Sequence, residues 1–379
     1  MLLSISLFTV MGMAKLMWIE AFSDNELHAP YIIETDNEYQ KQLKEKYSHF
    51  VNLLEKAGAD EESIRIAKKY TNKVCEALRD YYYGRVSTCH QKIENLIKGC
   101  ANNKLAVSTL EECRAFPGSG EIQFFRARCE KEARLFKPNE MLHRPFSQRA
   151  KTGNYRFSIP GVSCIYLANS SYGSWIEMGM PSEHDFNVSP FILNGKQKVF
   201  NLAVMTRDLR LLNDGEASAV HCWIKLLVLM IATSFRVSET NRSFRSEYII
   251  SQSIMLACKK LGYDGVVYFS KRVDDERFAL VAINLALFAE YRKDSEYGAI
   301  CETMKVDESM NYQLFRQLNI AAAALTGYTL RTEKTPYITN IGNYKNQYRY
   351  SDTDFYRFDE HLFARWKDKD EIRWGNALV

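Results

Sequence analysis

The 379-residue sequence lacks the short motifs by which the commonest nucleotide and metal sites are recognised. It contains no G-x-G-x-x-G, no G-x-x-x-x-G-K-[ST] and no H-E-x-x-H. These absences exclude the signatures of Rossmann proteins, P-loop NTPases and zincin metalloproteases. The nine cysteines are odd in number and form no C-x-x-C pair, which argues against structural zinc and against a disulfide framework. We therefore expect free thiols in a reducing cytoplasm and no metal cofactor.

Neither charge nor hydrophobicity is concentrated in this chain. The 50 Lys and Arg residues nearly balance the 46 Asp and Glu residues, and the formal net charge is +4. A charge this mild argues against nucleic acid as the main partner. The apolar run from Val220 to Ala232 is interrupted by Lys225 and is too short to span a membrane comfortably, so it predicts a buried helix.

The first residues are apolar but lack the basic start of a secretory signal peptide. We interpret residues 1–35 as an N-terminal segment in which Met11, Met13 and Met17 offer alternative starts. We expect no association with a membrane.

The length of the chain predicts two or three structural units. Residues 36–116 are predicted to form an all-helical domain. Its first helix ends at Gly58, its second begins near Asp60 with acidic residues in the first turn, and its third covers Val86 to Ile97.

A cluster of helix and strand breakers, Pro-Gly-Ser-Gly at residues 117–120, marks the next boundary. Beyond it, short strands and helices alternate, which predicts a mixed α/β domain at 117–300 and a C-terminal extension at 301–379 that packs on it. The whole chain is thus predicted to be α+β. Predicted strands lie at 122–126, 164–168, 199–204, 265–269 and within 278–288, and predicted helices at 220–235, 248–261, 312–325 and 353–366.

The most informative stretch is RFSIPGVSCIYLANSSYGSWIE, which spaces Arg156, Tyr166 and Glu177 at ten and eleven residues. Arginine binds phosphate through a planar fork of donors, and tyrosine offers a flat ring with a polar tip. A carboxylate can stabilise positive charge that develops on a sugar. The three residues together indicate a site for a phosphorylated ligand with rings, such as a dinucleotide.

Three blocks of sequence, in order, resemble the RES domain family, which is named after Arg, Glu and Ser. They are FFRARCEKE, the stretch from Arg156 to Glu177, and SEYIISQSIMLACKKLGYDGVVYFSKR, and the resemblance spans roughly residues 118–290. It implies a fold related to ADP-ribosyltransferase toxins and consumption of NAD by cleavage of the nicotinamide–ribose bond. The helical residues 36–116 resemble an extension found in long members of the family.

The resemblance also implies roles for individual residues. Glu177 would stabilise the oxocarbenium-like state and hold a ribose hydroxyl. Arg156 would pair with the pyrophosphate of NAD, with Arg126 as a second phosphate candidate and Arg128 as a weaker one. Tyr166 would stack on the nicotinamide ring or form a hydrogen bond near it.

The serine of the family corresponds to Ser270, which follows the apolar strand VVYF, so its hydroxyl could face the same pocket. A serine at this place could equally end a strand and start a turn. The resemblance implies NAD as the substrate, and no metal would be required because nicotinamide is a good leaving group. Whether water, phosphate or a macromolecule accepts the ADP-ribose stays open.

The family further implies a setting of growth arrest, as a toxin held by an antitoxin or as a defence against phage. A sensor protein or a second copy of the chain are other partners to expect. ADP-ribose transfer to a protein or nucleic acid is the first alternative function. A non-catalytic module, in which the helical residues bind a partner, is another.

An alternative of a different class starts from Arg85 and His90, which match the loose R-x-x-x-x-H pattern of HEPN-type ribonucleases. In such enzymes the arginine would bind the scissile phosphate and the histidine would act as acid and base. With two specified positions, the pattern is equally typical of an exposed arginine and histidine on an amphipathic helix. Another histidine, His143, lies in a loop that could line the NAD pocket or serve the structure.

Overall fold

The structure is a computed structural model. It describes residues 27, 29–116, 121–131, 134–204, 217–239, 242–273, 281–326, 350–367, 369 and 372–378, without the side chains of 217, 320–326, 352 and 367. The predicted boundary at 117–120 and most of the N-terminal segment 1–35 lie outside the described residues.

The described parts of the chain contain both α-helices and β-strands. The α-helices α1 to α8 are, in chain order, Tyr39–Lys56, Glu61–Tyr82, Val86–Lys98, Ser171–Glu177, Ala217–Thr233, Ile249–Lys260, Tyr312–Thr326 and Asp354–Lys367. The strands β1 to β11 are Tyr31–Ile33, Val107–Thr109, Ile122–Cys129, Cys164–Ala168, Phe186–Leu193, Lys198–Asn201, Phe235–Val237, Gly265–Phe269, Ile283–Phe288, Met304–Val306 and Met310–Asn311.

The chain divides into two compact units, which are not continuous in sequence. The helical unit consists of residues 1–115, 155–157 and 198–266, and the sheet unit of residues 116–154, 158–197 and 267–379. The boundary passes through β8. The predicted domain limits at 116/117 and 300/301 stay a prediction from the sequence.

The helical unit contains the three predicted N-terminal helices, α1 to α3, together with α5 and α6. Asp60 caps α2, because its side chain accepts a hydrogen bond from the backbone N–H of Ser63 at 2.9 Å. Two buried tyrosines of α1 tie that helix to α5: Tyr39 donates to the carbonyl of Ala232 at 2.8 Å, and Tyr47 to that of Val228 at 2.9 Å. Helix α5 is the buried helix predicted from the apolar run, and that prediction is confirmed.

An ion cluster stabilises the start of α1 within the helical unit. The buried guanidinium of Arg242 lies 2.5 Å from the Asp36 carboxylate and 2.9 Å from that of Glu247. Asp36 also accepts hydrogen bonds from the backbone N–H and hydroxyl of Ser246, at 2.8 and 2.6 Å. The charges are thus paired and hydrogen-bonded, as buried charges must be.

The sheet unit is built on strands in the order β10-β5-β3-β4-β9-β8, with β11 also paired to β5. The pairs β3–β5, β3–β4 and β4–β9 are antiparallel. In β4 and β9, Tyr166 lies opposite Ala286 and Ala168 lies opposite Asn284. This register decides which side chains share a face of the sheet.

One face of this sheet is covered by α4, α7 and α8. The core there is mainly aromatic and aliphatic, and its members include Phe125 of β3, Tyr172 and Ile176 of α4, Val188 of β5, Phe315 of α7, and Phe358 and Leu362 of α8. The C-terminal helices α7 and α8 thus pack against the sheet within this unit. The helix-rich first part and the antiparallel sheet confirm the predicted α+β class. No helix in the described parts of the chain has the length and hydrophobicity needed to cross a membrane.

Candidate active site

The site is organised by the turn between β4 and α4, which is bonded to the start of β9. The backbone N–H of Asn169 donates to the carbonyl of Ile283 at 2.9 Å, and the Asn169 side chain accepts from the N–H of Ile283 at 3.1 Å. Ser170 caps α4 by accepting from the N–H of Gly173 at 2.9 Å, and its hydroxyl also donates to the carbonyl of Val281. These bonds fix where α4 begins.

Gly173 allows α4 to approach this neighbouring backbone closely. A β-carbon at this position would lie 3.0 Å from the carbonyl oxygen of Val281 and 3.3 Å from the β-carbon of Ala168. Both distances are tighter than ordinary packing allows, so a side chain would push the helix outward. The glycine in the Ser-rich helix start is therefore a packing requirement.

Glu177 is the last residue of α4, two turns beyond the cap. Its Oε1 accepts a hydrogen bond from the side-chain amide of Asn284 in β9 at 2.6 Å. The guanidinium Nε of Arg272 lies 3.9 Å from Oε2. The glutamate side chain remains 35% exposed, so a ligand can reach it. A carboxylate held on one oxygen and accessible on the other is arranged to contact a substrate.

Ser270 is connected to Glu177 through Arg272. Its backbone N–H donates to the carbonyl of Ala282 at 2.9 Å, and its buried hydroxyl accepts from the backbone N–H of Arg272 at 3.1 Å. A serine hydroxyl that accepts from the backbone N–H two residues later stabilises a turn. Ser270 thus shapes the turn that brings Arg272 beside Glu177.

Tyr166 lies on the sheet face that carries α4. Side chains of directly opposed residues point to the same face, so Tyr166 and Ala168 share a face with Asn284 and Ala286. The Tyr166 hydroxyl donates to the hydroxyl of Ser158 at 3.1 Å. Tyr166 and Asn284 are diagonal neighbours, which places the phenol ring near the Glu177 pair.

Arg126 and Arg128 alternate with Phe125, which faces α4 from β3, so both arginines point to the other face of the sheet. One nitrogen of Arg126, Nη1, donates to the carbonyls of Met141 and Leu142. These bonds commit part of its guanidinium to the short 3₁₀ helix that ends there.

Arg128 lies in a basic, half-buried environment on that same face. Its guanidinium is 5.7 Å from the centre of the Phe136 ring. Burial and the positive charge of Arg144 lower the pKa of Arg128. This setting favours contact with an anion.

Arg156 belongs to the helical unit, in the short segment 155–157. Its side chain is buried, and its guanidinium lies 5.2 Å from the ring of Phe157. Gln252 of α6 holds the segment by donating to the carbonyl of Tyr155 at 3.0 Å. The structure therefore brings Glu177, Ser270 and Tyr166 together in the sheet unit, while Arg156 is held by the other unit.

The remaining candidates from the sequence are His143 and the pair Arg85 and His90. His143 is buried and accepts from the N–H of Gly298 at 2.9 Å through Nε2, so its Nδ1 donates to the carbonyl of Arg144 at 2.8 Å. Burial lowers the pKa of His143, which keeps the ring neutral. Arg85 donates twice to Asp80, at 2.6 and 3.0 Å, and burial lowers the pKa of His90.

Sequence reasoning missed Asn284 and Arg272. Asn284 is the one polar residue of β9, INLALF, and it is only 2% exposed. A lone amide in an apolar strand is a signal, because a buried amide needs a partner. Arg272 gave no comparable signal. In the described parts of the chain, no group of three His, Cys, Asp or Glu side chains is placed to hold a metal ion.

Comparison with known families covers the second and third blocks of sequence that resemble the RES domain, and only the end of the first, FFRARCEKE. Residues 131–305 match the RES domain. Over these residues the match confirms the resemblance to the RES domain that the sequence predicts.

Two individual proteins can be compared with this chain. A curated relative, "Putative toxin YopC" of Bacillus subtilis (strain 168), is 23% identical over 297 residues. The match covers 72% of this chain and 66% of the relative, so the chain spans just under two thirds of the relative's length. A chain in the crystal structure of the M. tuberculosis MbcT–MbcA toxin–antitoxin complex is 12% identical, with a TM-score of 0.32 over 59% of this chain and 96% of that one.

Proposed function

We propose that this chain consumes NAD by cleaving the bond between nicotinamide and ribose, with Glu177 as the catalytic carboxylate. The observation that carries the proposal is the hydrogen bond of 2.6 Å from Asn284 to Glu177, at an accessible position beside Arg272. The RES domain at residues 131–305 supports NAD as the substrate class.

In the proposed reaction, the bond between C1′ of the ribose and the pyridinium nitrogen breaks, and its electron pair leaves with nicotinamide. Nicotinamide departs neutral, and positive charge develops on C1′ and the ring oxygen. Water then attacks C1′ and loses a proton, so NAD⁺ and water yield nicotinamide, ADP-ribose and one proton. Glu177 stabilises the developing cation electrostatically and holds a ribose hydroxyl.

Asn284 and Ser270 both help to position the carboxylate of Glu177. By occupying Oε1, Asn284 fixes the rotamer of Glu177 and leaves Oε2 for the substrate. Ser270 fixes the turn of Arg272, whose long, exposed contact of 3.9 Å with Oε2 is weak enough for a ribose hydroxyl to replace. The remaining hydroxyl proton of Ser270 could donate to the substrate.

The roles of the other candidates are proposals from the resemblance. Tyr166, on the face of Glu177, would contact the nicotinamide ring. Arg156 would bind the pyrophosphate, with Arg126 and Arg128 as further phosphate ligands. Nη1 of Arg126 donates to the carbonyls of Met141 and Leu142, so this nitrogen is committed within the protein.

We further propose that NAD loss makes the chain a growth-arresting toxin, controlled by an antitoxin in the cytoplasm. The RES domain and the toxin named as its relative support this role. Transfer of ADP-ribose to phosphate or to a macromolecule uses the same site and the same cation. The acceptor of the ADP-ribose therefore decides whether the reaction is hydrolysis, phosphorolysis or ADP-ribose transfer.

The test is incubation of the purified full chain with NAD labelled on the adenine ring, with and without phosphate. Hydrolysis predicts equal amounts of free nicotinamide and ADP-ribose, and phosphorolysis predicts a phosphorylated ADP-ribose that appears only with phosphate. Label retained on protein or nucleic acid would indicate transfer. A folded chain that leaves NAD intact under all conditions would refute the proposal.

A further inference from the structure

The C-terminal helix α8 contacts the helix that carries Glu177. The carboxylate of Asp359 on α8 accepts a hydrogen bond from the backbone N–H of Ser171, the first residue of α4, at 3.1 Å. Its other oxygen accepts from the hydroxyl of Tyr350 at 2.6 Å. Asp359 lies beyond the matched RES domain, which ends at residue 305.

Apolar contacts extend this hydrogen-bonded junction along α4. The ring of Phe355 packs against Tyr172 and Trp175, with centroid distances of 5.5 and 5.6 Å. The hydroxyl of Ser171 also donates to the carbonyl of Phe355 at 3.4 Å. Helix α4 has only seven residues, too few to be stable alone, so its position depends on such contacts.

We propose that Asp359 is a positioning residue for Glu177, so that the C-terminal extension is part of the catalytic apparatus. This inference rests on the proposed function. The carboxylate binds one of the unpaired N–H groups at the start of α4 and carries negative charge where the helix dipole favours it. By holding the first residue of a two-turn helix, Asp359 fixes the place of its last residue, where Asn284 meets Glu177.

The surroundings of Asp359 make its negative charge unfavourable. The side chain is 8% exposed, and burial raises its pKa to about 7, although hydrogen bonds from Ser171 and Tyr350 lower it. The negative charge of Glu360, next to it on α8, raises it further. The partners of this buried carboxylate among the described residues are uncharged, which is unfavourable for stability, and a function in placing α4 explains its presence.

A second contact of α8 provides a matched control. Arg365 lies 3.2 Å and Lys369 2.6 Å from the carboxylate of Asp307, in the turn between β10 and β11. This ion cluster also holds α8 to the sheet unit, but it does not contact α4. Variants of Arg365 therefore weaken the docking of α8 without removing the bond to Ser171.

The experiment compares Asp359→Leu, Asp359→Asn and Arg365→Gln as purified full chains, with NAD as the probe. For each, kcat and KM for nicotinamide release are normalised to the folded fraction measured by circular dichroism. We expect Asp359→Leu to lower kcat about 100-fold with little change in KM, since a small displacement of a catalytic group has an effect of this size. Asn can accept from Ser171 and donate to Tyr350, so Asp359→Asn should retain kcat within about threefold of wild type.

The outcomes separate the two proposals. If wild type and every variant leave NAD intact, the proposed function fails. If wild type consumes NAD and folded Asp359→Leu keeps its kcat, the positioning role fails although the function stands. A loss of kcat in Arg365→Gln equal to that in Asp359→Leu would show that Asp359 acts through the general docking of α8 and would also overturn the proposal. Should Asp359→Leu not fold, a loss of kcat in folded Asp359→Asn that exceeds tenfold would contradict the role assigned to its two hydrogen bonds.

Discussion

The side-chain amide of Asn284 donates to Glu177 at 2.6 Å, joining the middle of the sheet to the last residue of α4. Neither residue could hold this geometry without the other elements. Asn169 and Ser170 fix the start of the helix on β9, Gly173 lets it lie close to the strand, and Asp359 binds its first N–H. The relationship makes the candidate site testable residue by residue.

Glu177→Gln removes the negative charge and keeps the size of the side chain. We expect kcat for nicotinamide release to fall about 100- to 1,000-fold, the usual loss when one electrostatic contact to a transition state is removed. The side chain is 35% exposed, so the free energy of unfolding should change by less than about 1 kcal/mol. Unchanged NAD consumption by the folded variant would exclude Glu177 as the catalytic carboxylate.

Asn284→Ala tests the residue that sequence reasoning missed. The variant loses a hydrogen bond to a charged group, worth about 1.5–3 kcal/mol, and we expect kcat/KM to fall about 10- to 100-fold. Asn284→Gln is a poor substitute, because the longer chain has no room in a strand position that is 2% exposed. Steady-state kinetics on folded protein is the measurement, and wild-type kcat/KM in Asn284→Ala would contradict the proposed role.

Gly173→Ala tests the close approach of α4 to the neighbouring backbone. The added β-carbon would lie 3.0 Å from the carbonyl of Val281, and we expect a loss of about 1–3 kcal/mol in stability and a clear fall in kcat. Gly298→Ala is the matched control, since its β-carbon would lie 3.0 Å from the carbonyl of Glu290, away from α4. Urea unfolding and NAD turnover should show similar destabilisation in both variants and a loss of kcat only in Gly173→Ala.

The raised pKa of Asp359 predicts that stability depends on pH, and Asp359→Asn tests this prediction. The pKa of Asp359 is about 7 in the folded chain and has an ordinary value of 3.8, so folding favours the protonated form. Its contribution to stability is fully present below about pH 4 and is lost as the pH rises to about 7. We therefore expect the asparagine variant to gain stability relative to wild type from pH 5 to pH 8, by about 2–3 kcal/mol. Urea unfolding at pH 5 and pH 8 measures the stability of the variant relative to wild type. If this relative stability is the same at both pH values, Asp359 does not titrate as proposed.

Arg242→Met tests the ion cluster of the helical unit. It leaves the carboxylates of Asp36 and Glu247 without their cation, and Glu247 is almost fully buried. Breaking a buried pair by removing one partner typically costs about 3–5 kcal/mol, so we expect the helical unit to unfold at lower urea concentration. Loss of less than about 1 kcal/mol in a urea titration would show that the two carboxylates are adequately solvated.

Much of the fold followed from local patterns. The helices at 61–82, 86–98 and 249–260 and the strands at 164–168 and 265–269 lie where apolar periodicity and breakers predict them. Strand β5, Phe186–Leu193, was missed. Its sequence, FNVSPFIL, alternates apolar and polar residues only as far as Ser189, and Pro190 then argues against a strand because it cannot donate to a sheet.

In the candidate site, too, some features follow from local sequence and others only from tertiary contacts. The spacing of Arg156, Tyr166 and Glu177 predicted a site for a dinucleotide, and the resemblance to the RES domain implied NAD and a role for Ser270. The partner of Glu177, however, is 107 residues away along the chain, and local periodicity carries no information about such a pair. The segment with Arg156 also lies in a different compact unit from Glu177, although only 21 positions separate them.

The sequence by itself determined the α+β class, the RES resemblance and most candidate residues, because helix caps, breakers and motif spacing are local properties. Tertiary structure decided that Asn284 holds Glu177, that Ser270 shapes the turn of Arg272, and that Arg126 and Arg128 point away from the face of α4. It also decided that Asp359 supports the helix of the candidate site. Register, pleat and packing set these relationships, and they exist only once distant segments meet.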